Sequence, residues 1–368
     1  MELFVNANTL SEEELGSIGR MVFYTVPIFK QFYPNLKLIL ISDDIIPDSI
    51  LKKIKFDDII YRKIKNRNFY FFLVSYLPWV YEIVEKYKPN FYWEPQNYLL
   101  RKFEKTKSVV TIHDVFPLED IARRPFFRKF LFKQFIQMTL ENATYIQAQS
   151  NFTKQRILYF FGKKYSDRIK VIYHGVSTDI IPSQKGSKCI CEYLKNKKPF
   201  IFFVGRLSYW KGTDILLDVA ERIKKELGLN ILLAGKIIDN QITRKIDKLL
   251  KDNIIDYLGY VSDEEKDCLM QNCEIFLYPS RYDGFGQPVL EAILYNKKVL
   301  MSNIDVLKEV TNGLANYFDI NNPYSSILDK LRELIQSDQA NSPELISFVK
   351  SMTWQNYVIK FCNMLGLL

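Results

Sequence analysis

Short apolar runs alternate with stretches of helical period along almost the whole chain. Parallel strands need long crossovers between them, usually helices, so this rhythm argues βαβ units and parallel sheets. In the first half the expected strands are Leu3–Asn6, Leu36–Ile41, Phe91–Trp93, Val109–Ile112, Thr144–Ala148 and Lys170–Tyr173. In the second half they are Phe200–Val204, Asn230–Ala234, Ile254–Gly259, Glu274–Tyr278 and Lys298–Met301. Between Asp179 and Pro199 the chain turns polar and loses its period, which marks a linker. A chain of 368 residues holds two domains of ordinary size. They are expected over residues 1–180 and 181–352, followed by a last helix, 353–368, opened by Thr353-Trp354.

The densest stretch of chemistry is Tyr278–Asn303, YPSRYDGFGQPVLEAILYNKKVLMSN. A strand ends at Tyr278, a turn runs from Pro279 to Gly286, and Pro288 opens a helix at a position where its missing N–H costs nothing. Gly284 and Gly286 bracket Phe285 and let the backbone approach a ligand closely. The amides around Gly284–Gln287 are a ready anion site, and Asp283 and Glu291 place one carboxylate on each side of it. One reading is a plain strand–turn–helix connection whose carboxylates favour a helix N-terminus. The other is a site holding a diphosphate between two hydroxyl-binding carboxylates, which suits a nucleotide-sugar.

A second glycine-bounded loop follows the strand Phe200–Val204: Gly205-Arg206-Leu-Ser-Tyr-Trp-Lys211-Gly212. Arg is a rigid fork and Lys a movable point charge, a pair suited to a diphosphate, although two surface charges in a loop read the same way. After the first strand, Gly16-x-x-Gly19-Arg20 precedes a helical run Met21–Phe32 and is either a flexible turn or a backbone approach for a ligand. His113 and His174 are the two histidines. His113 follows a strand at the end where open α/β sheets bind ligands. His174 reads as a hinge or structural residue. Arg123–Phe135 interleaves five basic residues with five phenylalanines. Either it is an amphipathic helix with its rings in the core, or a basic aromatic face for an anionic membrane. Arg123 and Arg124 could instead hold an acceptor phosphate.

Together, Asp283-Gly-Phe-Gly-Gln-Pro-Val-Leu-Glu291-Ala and Gly205-Arg206-x4-Lys211-Gly212 resemble the signatures of retaining glycosyltransferases of family 4 with the GT-B fold, among them bacterial mannosyltransferases of surface-polysaccharide synthesis. The resemblance covers the second half strongly and the first half loosely, and it departs at Asp283, where the family has Glu. It implies an α/β chain of two Rossmann-like domains facing each other across a cleft. Asp283 and His113 then position the donor sugar, Arg206 and Lys211 meet the diphosphate, and Glu291 holds the ribose. Gly16, Gly19, Gly205, Gly284, Phe285, Gly286 and Gln287 line the donor. The implied chemistry keeps the anomeric configuration by front-face attack, with no metal and no cofactor, the nucleotide-sugar being a substrate. Ser302-Asn303 and Leu307–Val310 fit the pattern of GDP-mannose users, so GDP-mannose is the expected donor, with dTDP-rhamnose, GDP-fucose or a UDP-sugar as alternatives. The expected acceptor is a glycan or a polyprenyl-diphosphate-linked oligosaccharide. A 2-epimerase of nucleotide-sugars and a non-catalytic nucleotide-sugar-binding protein share the fold and remain open.

Composition narrows the partners. A net charge of +9 points to an anionic partner, and no helix-turn-helix, zinc-finger or RNA-binding pattern points to nucleic acid. The five cysteines are scattered without zinc-ligand spacing. The N-terminal MELFVNANTL lacks a basic region followed by an apolar core, and no run of about 18 apolar residues exists. The expected location is cytoplasmic, peripheral on the cytoplasmic face of the inner membrane.

Overall fold

The computed structural model describes residues 1–12, 15–64, 71–177, 194 and 199–367. They form two units, Met1–Gly175 with Met352–Leu368, and Val176–Ser351, so the first division falls five residues and the second one residue before the expected ones. The expected linker between Asp179 and Pro199 lies almost wholly outside the described residues, as do Cys189 and Cys191.

The first unit is built on a parallel sheet of seven strands: β1 (Glu2–Asn6), β2 (Lys37–Ser42), β3 (Asp58–Tyr61), β4 (Phe91–Glu94), β5 (Lys107–Ile112), β6 (Tyr145–Ala148) and β7 (Ile169–Val171). Their spatial order is β3-β2-β1-β4-β5-β6-β7. The chain starts in the middle, runs out to β3 and returns beside β1, pairing Val5 with Trp93. The order therefore reverses between β1 and β4, where open sheets of this kind bind ligands beyond the carboxyl ends. Sheets covered on both faces need strands that are apolar throughout, and β1 buries Leu3, Phe4 and Val5 completely.

The last helix, Trp354–Leu365, belongs to this unit. Thr353 caps it by accepting from the Asn356 amide at 3.0 Å. Phe361 lies between Phe29 and Trp93, with ring centroids 5.5 and 5.0 Å away. Gly175 lies so close beneath Trp354 that a Cβ there would stand 2.4 Å from the indole ring.

The second unit repeats the plan with β8 (Phe200–Val204), β9 (Asn230–Ala234), β10 (Ile255–Tyr257), β11 (Ile275–Tyr278), β12 (Lys298–Ser302) and β13 (Asn316–Phe318). All pairs are parallel in the order β10-β9-β8-β11-β12-β13. β8 is buried at every position. Here the order reverses between β8 and β11, with Ile201 opposite Ile275 and Phe202 opposite Phe276.

The structure adds two strands to those read from the sequence, β3 and β13, and each is the edge of its sheet. Edge strands bury one flank only, so they are short and carry polar residues, and their apolar signal is weak. The first long helix begins at Ser17, four residues before the expected start, and takes in Gly19 and Arg20.

Phe361 is fully buried between two other large rings. Phe361→Ala is expected to cost about 3–5 kcal/mol, read as a lower urea midpoint for unfolding of the first unit. An unchanged midpoint would mean that the last helix adds nothing to that core.

Candidate active site

Because β8 and β11 are neighbours, the loops that leave their carboxyl ends must start side by side. The first carries Gly205, Arg206 and Lys211, the second Asp283 to Gly286. The loops are joined through backbone. Trp210 O accepts from the Arg281 amide at 2.8 Å and the Tyr282 amide at 3.3 Å. Gly212, with φ of 70°, lies against Pro279, and a Cβ on it would be 1.9 Å from the Pro279 carbonyl oxygen. Arg281 locks the seam from outside. Its guanidinium donates two bonds to Asp214, at 2.6 and 2.7 Å, and one to Tyr209 O, while lying over the Tyr209 ring. Gly205 meets the next strand end, since a Cβ on Gly235 would lie 1.9 Å from the Gly205 carbonyl oxygen.

The seam brings two sequence-predicted residues together. Lys211 Nζ donates to Asp283 Oδ2 at 2.6 Å and to the Tyr278 hydroxyl at 3.1 Å. Tyr278 in turn donates to the same Asp283 oxygen at 2.5 Å, and the Gly284 amide donates to Asp283 Oδ1 at 2.9 Å. Burial opposes charge on the Lys211 ammonium, but the Asp283 carboxylate and then Tyr278 outweigh it and raise its pKa well above the usual range. Burial likewise opposes charge on Asp283, and Lys211 with the hydrogen bonds holds its carboxyl below the usual value. Both groups are therefore charged at neutral pH. An ammonium has three N–H donors, and two are used here, so one remains to meet another anion. Arg206 is exposed, and its guanidinium makes no hydrogen bond or ion pair among the described residues.

The helices after both loops, Thr213–Leu227 and Gln287–Leu294, start behind a left-handed glycine, Gly212 or Gly286, and neither has a side-chain cap. Both helices thus start at the seam's end of the sheet, the end where a helix dipole favours an anion. Gln287 takes the first helical position and Pro288 the second, one residue later than expected. Gly286 is required by shape: φ is 85°, and a Cβ would press to 2.6 Å from Leu307. Phe285 is 3% exposed and serves as an anchor in the core beneath the turn. Glu291 is also buried, and its Oε2 takes a hydrogen bond from Lys266 Nζ at 2.7 Å.

In the first unit His113 follows β5, and its ring nitrogens are both engaged. Nε2 is 2.7 Å from Pro95 O, and Nδ1 is 3.4 Å from Gln149 Oε1. Burial lowers the imidazole pKa against the opposing effects of Pro95 and Asp114, so the ring is neutral near pH 7. Its backbone is equally fixed: the His113 amide donates to Asn97 and its carbonyl accepts from Thr153 and Gln149. His174 packs edge-on to His113 and Tyr357 and tilted against Trp354, a structural place. Gly16 caps the helix Ser17–Phe32 with its amides at the β1 end, while Gly19 meets the protein's own chain, its virtual Cβ 2.9 Å from Thr9 O. Arg123 and Arg124 are exposed beside the turn Asp120–Ala122.

Sequence reading missed several groups. Tyr278 was hidden because a tyrosine at a strand end reads as core. Asp43, expected in a solvated turn, is 3% exposed, and burial raises its carboxyl pKa. Glu94 ends β4 at the order reversal of the first sheet, wholly buried. Asn6, Tyr92 and the Gln96 amide all donate to it, at 2.8, 2.6 and 3.1 Å. Tyr76 donates to Asn6 Oδ1 at 2.8 Å and closes the network. Through Gln96, Glu94 holds the Pro95–Asn97 turn that grips His113. A charged residue ending the apolar run Phe91–Trp93 was the signal for it.

Burial pushes the Glu94 carboxyl from 4.5 up to about 7 despite those three donors. A carboxyl whose folded value is raised loses stability as pH climbs from its unfolded value to its folded one. The loss should run between pH 4.5 and about 7 and amount to on the order of 3 kcal/mol. Melting temperatures across that window should fall less steeply in Glu94→Gln than in the parent. Parallel curves would show that Glu94 does not titrate there.

Residues 192–346 match the family described as Glycosyl transferases group 1. O-antigen chain mannosyltransferase B of Escherichia coli is 26% identical over 292 residues, covering 77% of this chain and 75% of that protein. D-rhamnosyltransferase WbpZ of Pseudomonas aeruginosa is 29% identical over 203 residues, 54% of this chain and 49% of its own. Among solved structures, Anabaena Alr3699/HepE in complex with UDP and glucose superposes with a TM-score of 0.70 at 16% identity, covering 100% of this chain and 99% of that one. The fold of two parallel α/β units, the match that spans both loops of the second sheet's order reversal and these relatives agree: the protein is a glycosyltransferase with the GT-B fold, and its residues 192–346 are what matches the group 1 glycosyl transferases.

Proposed function

We propose that the enzyme is a retaining, metal-independent hexosyltransferase of O-antigen- or capsule-type polysaccharide synthesis. Its donor is GDP-mannose and its acceptor a glycan or a polyprenyl-diphosphate-linked oligosaccharide. The observation that carries the reading is the grouping of Arg206, Lys211 and Asp283 at the order reversal of the second sheet, next to two helix starts without side-chain caps. A leaving nucleoside diphosphate gains negative charge as its bond to the sugar breaks, and fixed cations and amides stabilise that charge in the transition state. Arg206 and the third N–H of Lys211 supply it. Asp283 acts first on Lys211: both of its oxygens are engaged, by Lys211, Tyr278 and the Gly284 amide. A carboxylate so committed is a poor nucleophile, which supports front-face attack, with the leaving phosphate taking the acceptor's proton, over a covalent intermediate. Glu291 takes the ribose. The match to an O-antigen mannosyltransferase supports mannose, and the match to a D-rhamnosyltransferase favours a 6-deoxyhexose as the second reading.

The membrane is part of this reading. The helix Phe126–Asn142 buries only Ile136, Thr139 and Leu140, and leaves Phe126, Phe127 and Phe130 85, 67 and 48% exposed. The amphipathic-helix expectation, with the rings in the core, fails for these three. Arg123, Arg124, Arg128 and Lys133 are exposed around them. Rings of this kind enter the headgroup boundary while the cations meet anionic lipid. Among the described residues no helix is long and apolar enough to cross a membrane. Vesicles with about one third anionic lipid should sediment the parent enzyme, and Phe126→Ser with Phe127→Ser should release it. Equal sedimentation of the two would remove this surface from the account.

The transfer reading is tested by offering GDP-mannose, GDP-fucose, dTDP-rhamnose and UDP-glucose with a panel of diphosphate-linked acceptors. Nucleoside diphosphate release is followed by mass spectrometry and the new linkage by NMR. GDP-mannose should turn over with retention. Lys211→Met should lower kcat/KM about 10²–10³-fold, and Tyr278→Phe about tenfold. Turnover of dTDP-rhamnose alone would replace the donor. A 2-epimeric sugar made without acceptor would make the protein an epimerase, and binding without turnover would make it a non-catalytic binder.

A further inference from the structure

Lys266 stands in the first turn of the helix Asp263–Asn272, and nothing in the donor-site reading uses it. Its ammonium is largely buried, side-chain exposure 12%, a placement lysines avoid unless paired. Three carboxylates surround it: Glu291 Oε2 at 2.7 Å, Asp267 Oδ1 at 3.7 Å and Asp263 Oδ1 at 4.0 Å. One cation thus serves three anions. The shortage of positive charge is visible on Asp267, whose carboxyl rises to about 6, through burial first and through Glu291 and Asp263 against the opposing pull of Lys266. The two helices that meet here follow β10 and β11, so both start at the carboxyl edge of the second sheet, and Ser262 with Glu265 forms a capping box that fixes the first. Glu291 keeps 7% of its side-chain surface, and its Oε1 makes no hydrogen bond among the described residues.

We propose that Lys266 is a positioning residue of the donor site, holding Oε2 of Glu291 so that Oε1 is presented to the ribose hydroxyls of the nucleoside diphosphate. The inference rests on the reading of Glu291 as the ribose-binding carboxylate. A glutamate has three rotatable bonds, and a single carboxylate aimed at two adjacent hydroxyls must be held in one rotamer to discriminate for them. Lys266 supplies that hold from a neighbouring helix. Without it, the buried carboxylates of Glu291 and Asp267 lose the ammonium between them, and Glu291 turns away from Asp267. A lysine that served packing alone would, on removal, weaken every ligand by the same factor. One that aims Glu291 sets the preference for ribose over a sugar lacking its hydroxyls.

The experiment measures dissociation constants of GDP and 2′,3′-dideoxyGDP, with UDP and 2′,3′-dideoxyUDP in parallel, by calorimetry. The proteins are the parent, Lys266→Met, Lys266→Arg and Glu291→Gln, each checked for a cooperative melt. Hydrogen bonds to a charged acceptor predict that the parent prefers the ribonucleotide by about 10- to 100-fold. Glu291→Gln should lose most of that ratio, Lys266→Met should lose a similar part, and Lys266→Arg should restore it. A parent-like ratio in Lys266→Met, beside a collapsed ratio in Glu291→Gln, overturns the positioning role and leaves the ribose reading standing. A parent without ribose preference, or a Glu291→Gln variant that keeps it, overturns the reading of Glu291 and this inference with it.

Discussion

The pairing of β8 with β11 decides where the chemistry of the second unit can be. In a parallel sheet both strands end at the same edge, so two loops separated by about seventy residues of chain leave it as neighbours. Trp210 O then accepts two amides from the second loop, and Gly212 has no side chain because Pro279 O occupies the space. Arg281 closes the seam onto Asp214 and Tyr209. Neither loop could shift alone without breaking backbone bonds to the other. Rigidity of this kind is what a site for a developing charge needs, since donors that must reorganise at the moment of reaction lose their advantage.

Within that seam the charges are arranged economically. Lys211, Asp283 and Tyr278 satisfy one another, which allows a lysine and an aspartate to stay ionised with little solvent around them. The same arrangement leaves one ammonium N–H and the Arg206 guanidinium to face an anion. The shorter side chain of Asp283, where the resembled family has Glu, fits this role: its reach ends on Lys211, Tyr278 and the Gly284 amide. In the first unit the network of Glu94, Asn6, Tyr92 and Tyr76 does comparable work, stiffening the turn that grips the His113 ring, which burial keeps neutral.

Much of this was legible in the sequence, and the rest was hidden for physical reasons. The central strands and the two glycine-bounded loops stand out because buried parallel strands are apolar throughout and tight turns need glycine. The edge strands β3 and β13 escaped notice since they bury one flank only. The partnership of Lys211 with Asp283 depends on strand order, which hydrophobic periodicity does not encode. Tyr278 and Lys266 act through a hydroxyl and an ammonium that local pattern assigns to a core strand and a solvated helix face. Gly19 drew attention as a ligand approach, but its missing Cβ makes room for Thr9 O. The exposed rings of Phe126, Phe127 and Phe130 were ambiguous in sequence because a helix can hide or show them with equal ease.

The central claim is that the loops after β8 and β11 form one nucleoside-diphosphate site. The most direct measurement is the thermal shift given by GDP, UDP, dTDP and ADP to the parent and to Arg206→Ala. A nucleotide at 100 times its dissociation constant should stabilise the fold by about 2.7 kcal/mol. The account predicts an upward shift with GDP that shrinks sharply in Arg206→Ala while the unliganded melting temperature stays the same. A shift of equal size in both proteins, or none with any nucleotide, would contradict it.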